Sequence, residues 1–194
     1  MTALTAAPLA LALVLAGCAG GADNSMPGMD GGTMPPSSSA TAQDGFNAAD
    51  SMFAMMMIPH HEQAVEMSDM ILAKDGIDDS VQDLARQIKA AQGPEIELMQ
   101  SWLDGSGMSA SDGMDGMGDG MMSGDDMATL EAASGAEASR LYLEQMIVHH
   151  EGALEMAQAE LQNGSSPDAL ELAQTIVDAQ TSEIALMQEL LTSL

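Results

Sequence analysis

The chain has 194 residues with thirty Asp and Glu against four Lys and Arg, a formal net charge of −26. Such a surface repels phosphate backbones and anionic headgroups, which excludes nucleic acid as a partner and leaves only a loose attraction for cations. Twenty Met stand against two Phe, one Trp and one Tyr, so methionine either replaces aromatics as core filler or serves as a ligand.

Residues 1–18, "MTALTAAPLALALVLAGC", are apolar, too short to span a bilayer, and end in Leu15-Ala16-Gly17-Cys18. The stretch reads as a lipoprotein-type signal peptide in which Cys18 is lipidated and becomes the first mature residue. An exported protein anchored through Cys18, facing the periplasm or cell exterior, is the expectation, although no Lys or Arg precedes the apolar run. Cys18 is the only cysteine, so the mature fold has no disulfide, no thiolate zinc site and no cysteine nucleophile. Thioether, imidazole and carboxylate remain as metal ligands. Residues 19–43 are rich in Gly, Pro, Ser and Met and read as a flexible tether.

From residue 44 onward the chain repeats itself. "MIPHHEQAVEM" (57–67) matches "MIVHHEGALEM" (146–156), and "QGPEIELMQSWL" (92–103) matches "QTSEIALMQELL" (180–191), in the same order and at nearly the same spacing. In each half a run with helical periodicity is followed by a turn signal, "KDGIDD" (74–79) or "NGSSPD" (163–168), and a second periodic run. Ser166 before Pro167 reads as an N-cap with proline at the first helical position. Each half is a helical hairpin, and the two predict an all-α fold, a four-helix bundle over residues 44–194. Pro94 falls inside the second helix and should kink or break it. The Met/Gly/Asp-rich stretch 105–126 joins the hairpins and is expected to be a disordered loop.

On the first helix of the bundle, Phe53, His60, His61, Ala64 and Met67 fall within about 80° of Met57, a single inward face, while Glu62 and Glu66 point to solvent. The third helix repeats this: Met146, His149, His150, Ala153 and Met156 face inward, and Glu151 and Glu155 face out. On the second helix Gln92, Glu95, Ile96, Met99 and Trp102 share a face, matched on the fourth by Gln180, Glu183, Ile184, Met187 and Leu190. A carboxylate therefore lies on each inward stripe. Burying Glu95 and Glu183 costs several kcal/mol each unless they are paired, protonated or coordinating, and two adjacent His per hairpin are the available partners, by hydrogen bond or through a metal.

The doubled "MI-x-HHE-x-A-x-EM" segments, each followed by "Q-x-x-EI-x-LMQ", resemble the bacterial exported family known as domain of unknown function 305. The likeness covers roughly residues 46–193. It implies a ferritin-like four-helix bundle and, for some members, copper binding or copper tolerance. Carried over by position, the implied ligands are Met57, His60, His61 and Met67 with their repeats Met146, His149, His150 and Met156.

All four His of the chain lie in the two repeated pairs. Imidazole beside thioether suits Cu(I) and still holds Cu(II) through nitrogen, whereas iron or manganese bundles use inward Glu-x-x-His carboxylates, and the Glu residues next to these His point outward. The expected metal is copper, with a His/Glu site for zinc, iron or nickel as the alternative and Glu95, Met99, Glu183 and Met187 as further candidate ligands. Met26 and Met29 in the tether and Met114, Met117, Met121 and Met122 in the loop have no packing role in a solvated segment and read as accessory copper capture. No Gly-rich phosphate loop, Ser/His/Asp elbow or basic pocket is present, so no catalytic residues are assigned. An extracytoplasmic protein that sequesters or delivers copper, handing it to a partner protein that the sequence does not name, is the expectation. A metallo-oxidase and a metal-free interaction module are its rivals.

Overall fold

The computed structural model describes residues 45–106 and 120–194. Among them are α1 (Ala48–Leu72), α2 (Asp79–Ser106), α3 (Gly124–Ala132), α4 (Gly135–Asn163) and α5 (Pro167–Ser193). α1 with α2 and α4 with α5 form the two antiparallel hairpins that the repeat predicts. The hairpins meet mainly through α1 and α4, while α2 and α5 barely touch. The expected bundle is borne out, with one short helix added. No described helix is long and apolar enough to cross a membrane. Cys18, Met26, Met29, Met114 and Met117 lie outside the described residues.

Local chemistry fixes the helix starts. Asn47 caps α1: its side chain accepts from the N–H groups of Ala49 and Asp50 while the Asp50 carboxylate accepts the Asn47 N–H, a capping box. Ser166 caps α5 with Pro167 in its first turn, as the sequence predicts.

Two expectations need correction. Pro94 does not break the second helix, which runs through it to Ser106. Proline removes one N–H, and the carbonyl four residues back, of Ala90, lies on the exposed side of α2, where water can accept that bond's role. The loop over 105–126 is also shorter than expected. Gly105 and Ser106 finish α2, and Gly124 opens α3, because Ser123 and Asp126 form a second reciprocal capping box. The nine residues Gly124–Ala132 are too few to show a periodicity of their own.

Two apolar clusters fill the bundle. One joins the first half of α1 to the second halves of α2 and α4 and the start of α5: Phe53, Met57, Met99, Trp102, Met156 and Ile176. The other joins the second half of α1 to the first halves of α2 and α4: Met67, Ile71, Leu84, Ile88, Tyr142 and Met146, with Met187 from α5 and Leu130 from α3. Antiparallel packing of α1 on α4 produces this division, and the histidines stand where the two clusters adjoin.

Candidate metal centre

His60 and His61 come from the middle of α1, His149 and His150 from the middle of α4, and all four are 0% exposed. The rings of His60 and His149 face each other across the helix pair, centroids 3.7 Å apart and planes tilted by 38°. His61 and His150 lie outside them, 6.5 and 6.4 Å from their sequence neighbours. The predicted inward face of both helices is therefore correct, as is the outward placement of Glu62, Glu66, Glu151 and Glu155, which are exposed.

Each outer histidine meets a carboxylate from the second helix of its own hairpin. His61 Nε2 lies 2.9 Å from Glu95 Oε2, and His150 Nε2 lies 2.7 Å from Glu183 Oε2. An ionised carboxylate only accepts, so Nε2 carries the proton and donates. In the neutral ring that leaves the lone pair on Nδ1. In both His61 and His150 this buried Nδ1 has no hydrogen-bond partner, a condition that costs about 1–3 kcal/mol unless a ligand relieves it. Burial, followed by the neighbouring His60, His150 and His61, holds His149 well below the usual histidine range, so its ring is neutral at pH 7 and keeps a nitrogen lone pair free of a proton.

The remaining candidates surround these rings. Met57 precedes His60 by one helical turn and Met146 precedes His149 by one turn, close enough for side chains to meet. Met57, Met99 and Met156 belong to one apolar cluster and Met67, Met146 and Met187 to the other. All six are at most 9% exposed. Because α1 and α4 run in opposite directions, each methionine and its repeat lie in opposite clusters. Among the described residues no three His, Cys, Asp or Glu side chains gather into a metal cluster.

A sequence profile of the family described as "Domain of unknown function (DUF305)" matches residues 50–191. The chain belongs to the DUF305 family. Its fold is similar to that of a DUF305 protein from Streptomyces coelicolor, provisionally described as secreted (35% identity, TM-score 0.69, covering 75% of this chain and 91% of that one). A DUF305 fragment from Deinococcus radiodurans is similar too (27% identity, TM-score 0.71, 77% of this chain and 99% of that one). So is CopM, solved in a Cu(II)-bound form (30% identity, TM-score 0.65, 74% of this chain and 96% of that one) and in a Cu(I)-bound form (28% identity, TM-score 0.65). No curated protein sequence matches the chain.

Three features of this DUF305 chain are not among the sequence expectations. The first is a strap, Gly120–Met122, lying on α1 and α4 beside the histidines. Gln63 binds the Met122 backbone twice, Nε2 donating to the carbonyl at 2.9 Å and Oε1 accepting the N–H at 2.7 Å. Gly120, at φ +82°, is pressed so close to α4 that a Cβ there would stand 2.7 Å from the Val148 carbonyl oxygen and 2.8 Å from Gly152 Cα. Met121 and Met122, expected in a free loop, are thus half-buried on the bundle. The second is a carboxyl pair at the end of the bundle. Burial pushes the Asp50 carboxyl up, but hydrogen bonds from the N–H groups of Asn47 and Ser166, from the Glu160 side chain and from the Ser165 N–H together outweigh it and hold the group below its usual range. Glu160 beside it is raised to about 8 by burial and then by Asp50. The third is a buried Ser68–Tyr142 hydroxyl contact of 2.9 Å between α1 and α4, with burial keeping the phenol protonated. Glu160 had a signal: it continues the inward stripe of Ala153, Met156 and Ala157 at helical spacing.

Proposed function

We propose that this protein is an extracytoplasmic copper-binding protein that sequesters copper or hands it on. The observation that carries the reading is the pair of buried, unpartnered Nδ1 atoms of His61 and His150, each fixed by a carboxylate on the opposite nitrogen. A carboxylate–histidine pair of this kind sets the tautomer and raises the basicity of the nitrogen left for a metal. Around it the described donors are imidazole and thioether rather than a cage of oxygens, and that set favours Cu(I) while nitrogen still accepts Cu(II). The copper-bound forms of the similar CopM support the choice of ion. In this reading His60, His61, His149 and His150 supply nitrogen and Met57, Met67, Met146, Met156, Met99 and Met187 supply sulfur. Glu95 and Glu183 orient the rings instead of ligating. Bound copper would be cargo, held in a dry, thioether-lined environment that favours Cu(I).

Export and a lipid anchor at Cys18 fit this assignment, since free thiols are lost in oxidising compartments and thioethers are not. The similar Streptomyces coelicolor protein, provisionally described as secreted, supports export. Met26, Met29, Met114 and Met117 would then add weak capture outside the bundle.

The test is an anaerobic Cu(I) titration of the full chain against a chromophoric chelator, beside Zn(II) and Fe(II), with a variant carrying Ala at positions 60, 61, 149 and 150. Stoichiometric Cu(I) uptake that the quadruple variant loses is the expected result. Preference for Zn(II) or Fe(II), or unchanged Cu(I) uptake in the variant, refutes the assignment to the histidines.

A further inference from the structure

A cavity of about 390 Å³ opens between the first half of α1 and the last turns of α4. Its wall includes three thioethers. Met52 is 51% exposed, Met56 is half-buried and Met156 is 9% exposed. Exposed methionine beside two partly covered ones is an uneconomical way to wall a cleft, because Met52 buries little apolar surface where it stands. Helix geometry puts Met52, Met56 and His60 in one column on α1, each four residues from the next, and places Met156 two turns beyond His149 on α4. The sulfur atoms therefore form a graded row that begins in solvent and leads toward the stacked pair of His60 and His149.

The other walls suit a soft monovalent ion. Glu155 is exposed at the rim and supplies negative charge that concentrates cations. Glu160, 2% exposed, lines the inner end of the cavity beside Asp50. Phe53 and Ala159 complete an apolar lining that penalises a hydrated divalent ion more than a weakly hydrated one.

We propose that this cavity is a second metal site, a solvent-facing thioether site for Cu(I) built on Met52, Met56 and Met156, from which the ion passes to the buried histidines. The site stands on the cavity itself, and its role as the loading point rests on the copper reading of the histidines. Capture and storage are then separated by depth. The ion sheds water at an accessible position before it enters the dry one.

The two readings have separate reporters. Full-length protein labelled with ¹³C at the methionine methyls and ¹⁵N in the histidine rings is titrated anaerobically with Cu(I), and in parallel with the redox-silent Ag(I). The wild type, the Met52→Leu/Met56→Leu variant and the quadruple histidine-to-Ala variant are compared. Leucine keeps the side-chain volume, so folding is preserved. The expected result is that the Met52 and Met56 methyls, which the buried site does not use, shift in the quadruple histidine variant as well as in the wild type. The double Met variant binds one ion fewer per chain, still shows the histidine shifts, and reaches them more slowly. Methyl shifts without histidine shifts would uphold the cavity site while sinking the storage site. Histidine shifts with no movement of the Met52 and Met56 methyls, and undiminished stoichiometry in the double Met variant, would overturn the proposal.

Discussion

Replacing Glu95 or Glu183 separates an orienting carboxylate from a ligating one. In Glu183→Ala the Nε2–H of His150, fully buried, loses the acceptor 2.7 Å away. A buried donor left alone costs about 1–3 kcal/mol. Glu183 is 20% exposed and Glu95 17%, so water can follow the vacated side chain and the cost falls at the low end, about 1 kcal/mol. For a bundle of this size that lowers Tm by about 2–4 °C without metal. Copper affinity should fall further, because the ring is no longer held in the tautomer that presents Nδ1. Loss of an outer-shell partner lowers metal affinity by about 10–100-fold, or about 1.4–2.8 kcal/mol. Glu183→Gln retains an amide oxygen to accept and should fall between Ala and wild type. Anaerobic Cu(I) competition titrations paired with calorimetric melts of the metal-free protein give both numbers. Unchanged affinity in both Ala variants would show that the carboxylates do not orient the rings. A loss approaching complete abolition of binding, with little change in Tm, would show that they are ligands.

Three further outcomes are expected. Glu160 is raised from 4.5 to about 8, so the folded chain keeps a proton that the unfolded chain releases; its stabilisation is complete below about pH 4.5 and lost as pH rises through about 8. Melting scans across this window should show a falling Tm that Glu160→Gln flattens, and equal slopes in the two proteins would contradict the burial of that carboxyl. Gly120→Ala places a Cβ against the α4 backbone at a φ that favours glycine, a strain of about 1–3 kcal/mol. The strap should lift, and hydrogen exchange at the Met122 amide should accelerate; unchanged protection would mean that the contact with α4 is not held in solution. Tyr142→Phe removes the partner of the buried Ser68 hydroxyl and should destabilise the protein by about 1–3 kcal/mol in urea unfolding, with no effect on copper affinity.

The hairpins, the inward histidines and the carboxylate on each second helix were legible because they are periodic within one helix, and the repeat shows each pattern twice. The pairing of His61 with Glu95 and of His150 with Glu183 follows once two inward stripes face each other. Pro94 misleads because propensity does not say which side of a helix meets water. The strap was not legible: nothing local to Gly120 or Met122 reveals that Gln63 will reach the Met122 backbone or that Gly152 will leave room for Gly120. The start of α3 had a usable signal in Ser123 and Asp126, hidden by the Gly- and Met-rich composition before it. Asp50 looks like any acidic residue in a first turn, and only the folded chain shows that the α4–α5 connection closes over it.

Gln63 and Gly152 occupy the same position of the two repeats, yet one grips the strap with an amide and the other admits it by having no side chain. A single crossing segment lying over two related helices lifts their degeneracy. The two histidine–glutamate pairs, alike in sequence and in hydrogen bonding, become distinguishable by their surroundings, as two identical groups in a chiral molecule are. His61 and His150 should therefore give separate ring signals in an NMR spectrum, where the repeat alone predicts nearly coincident ones.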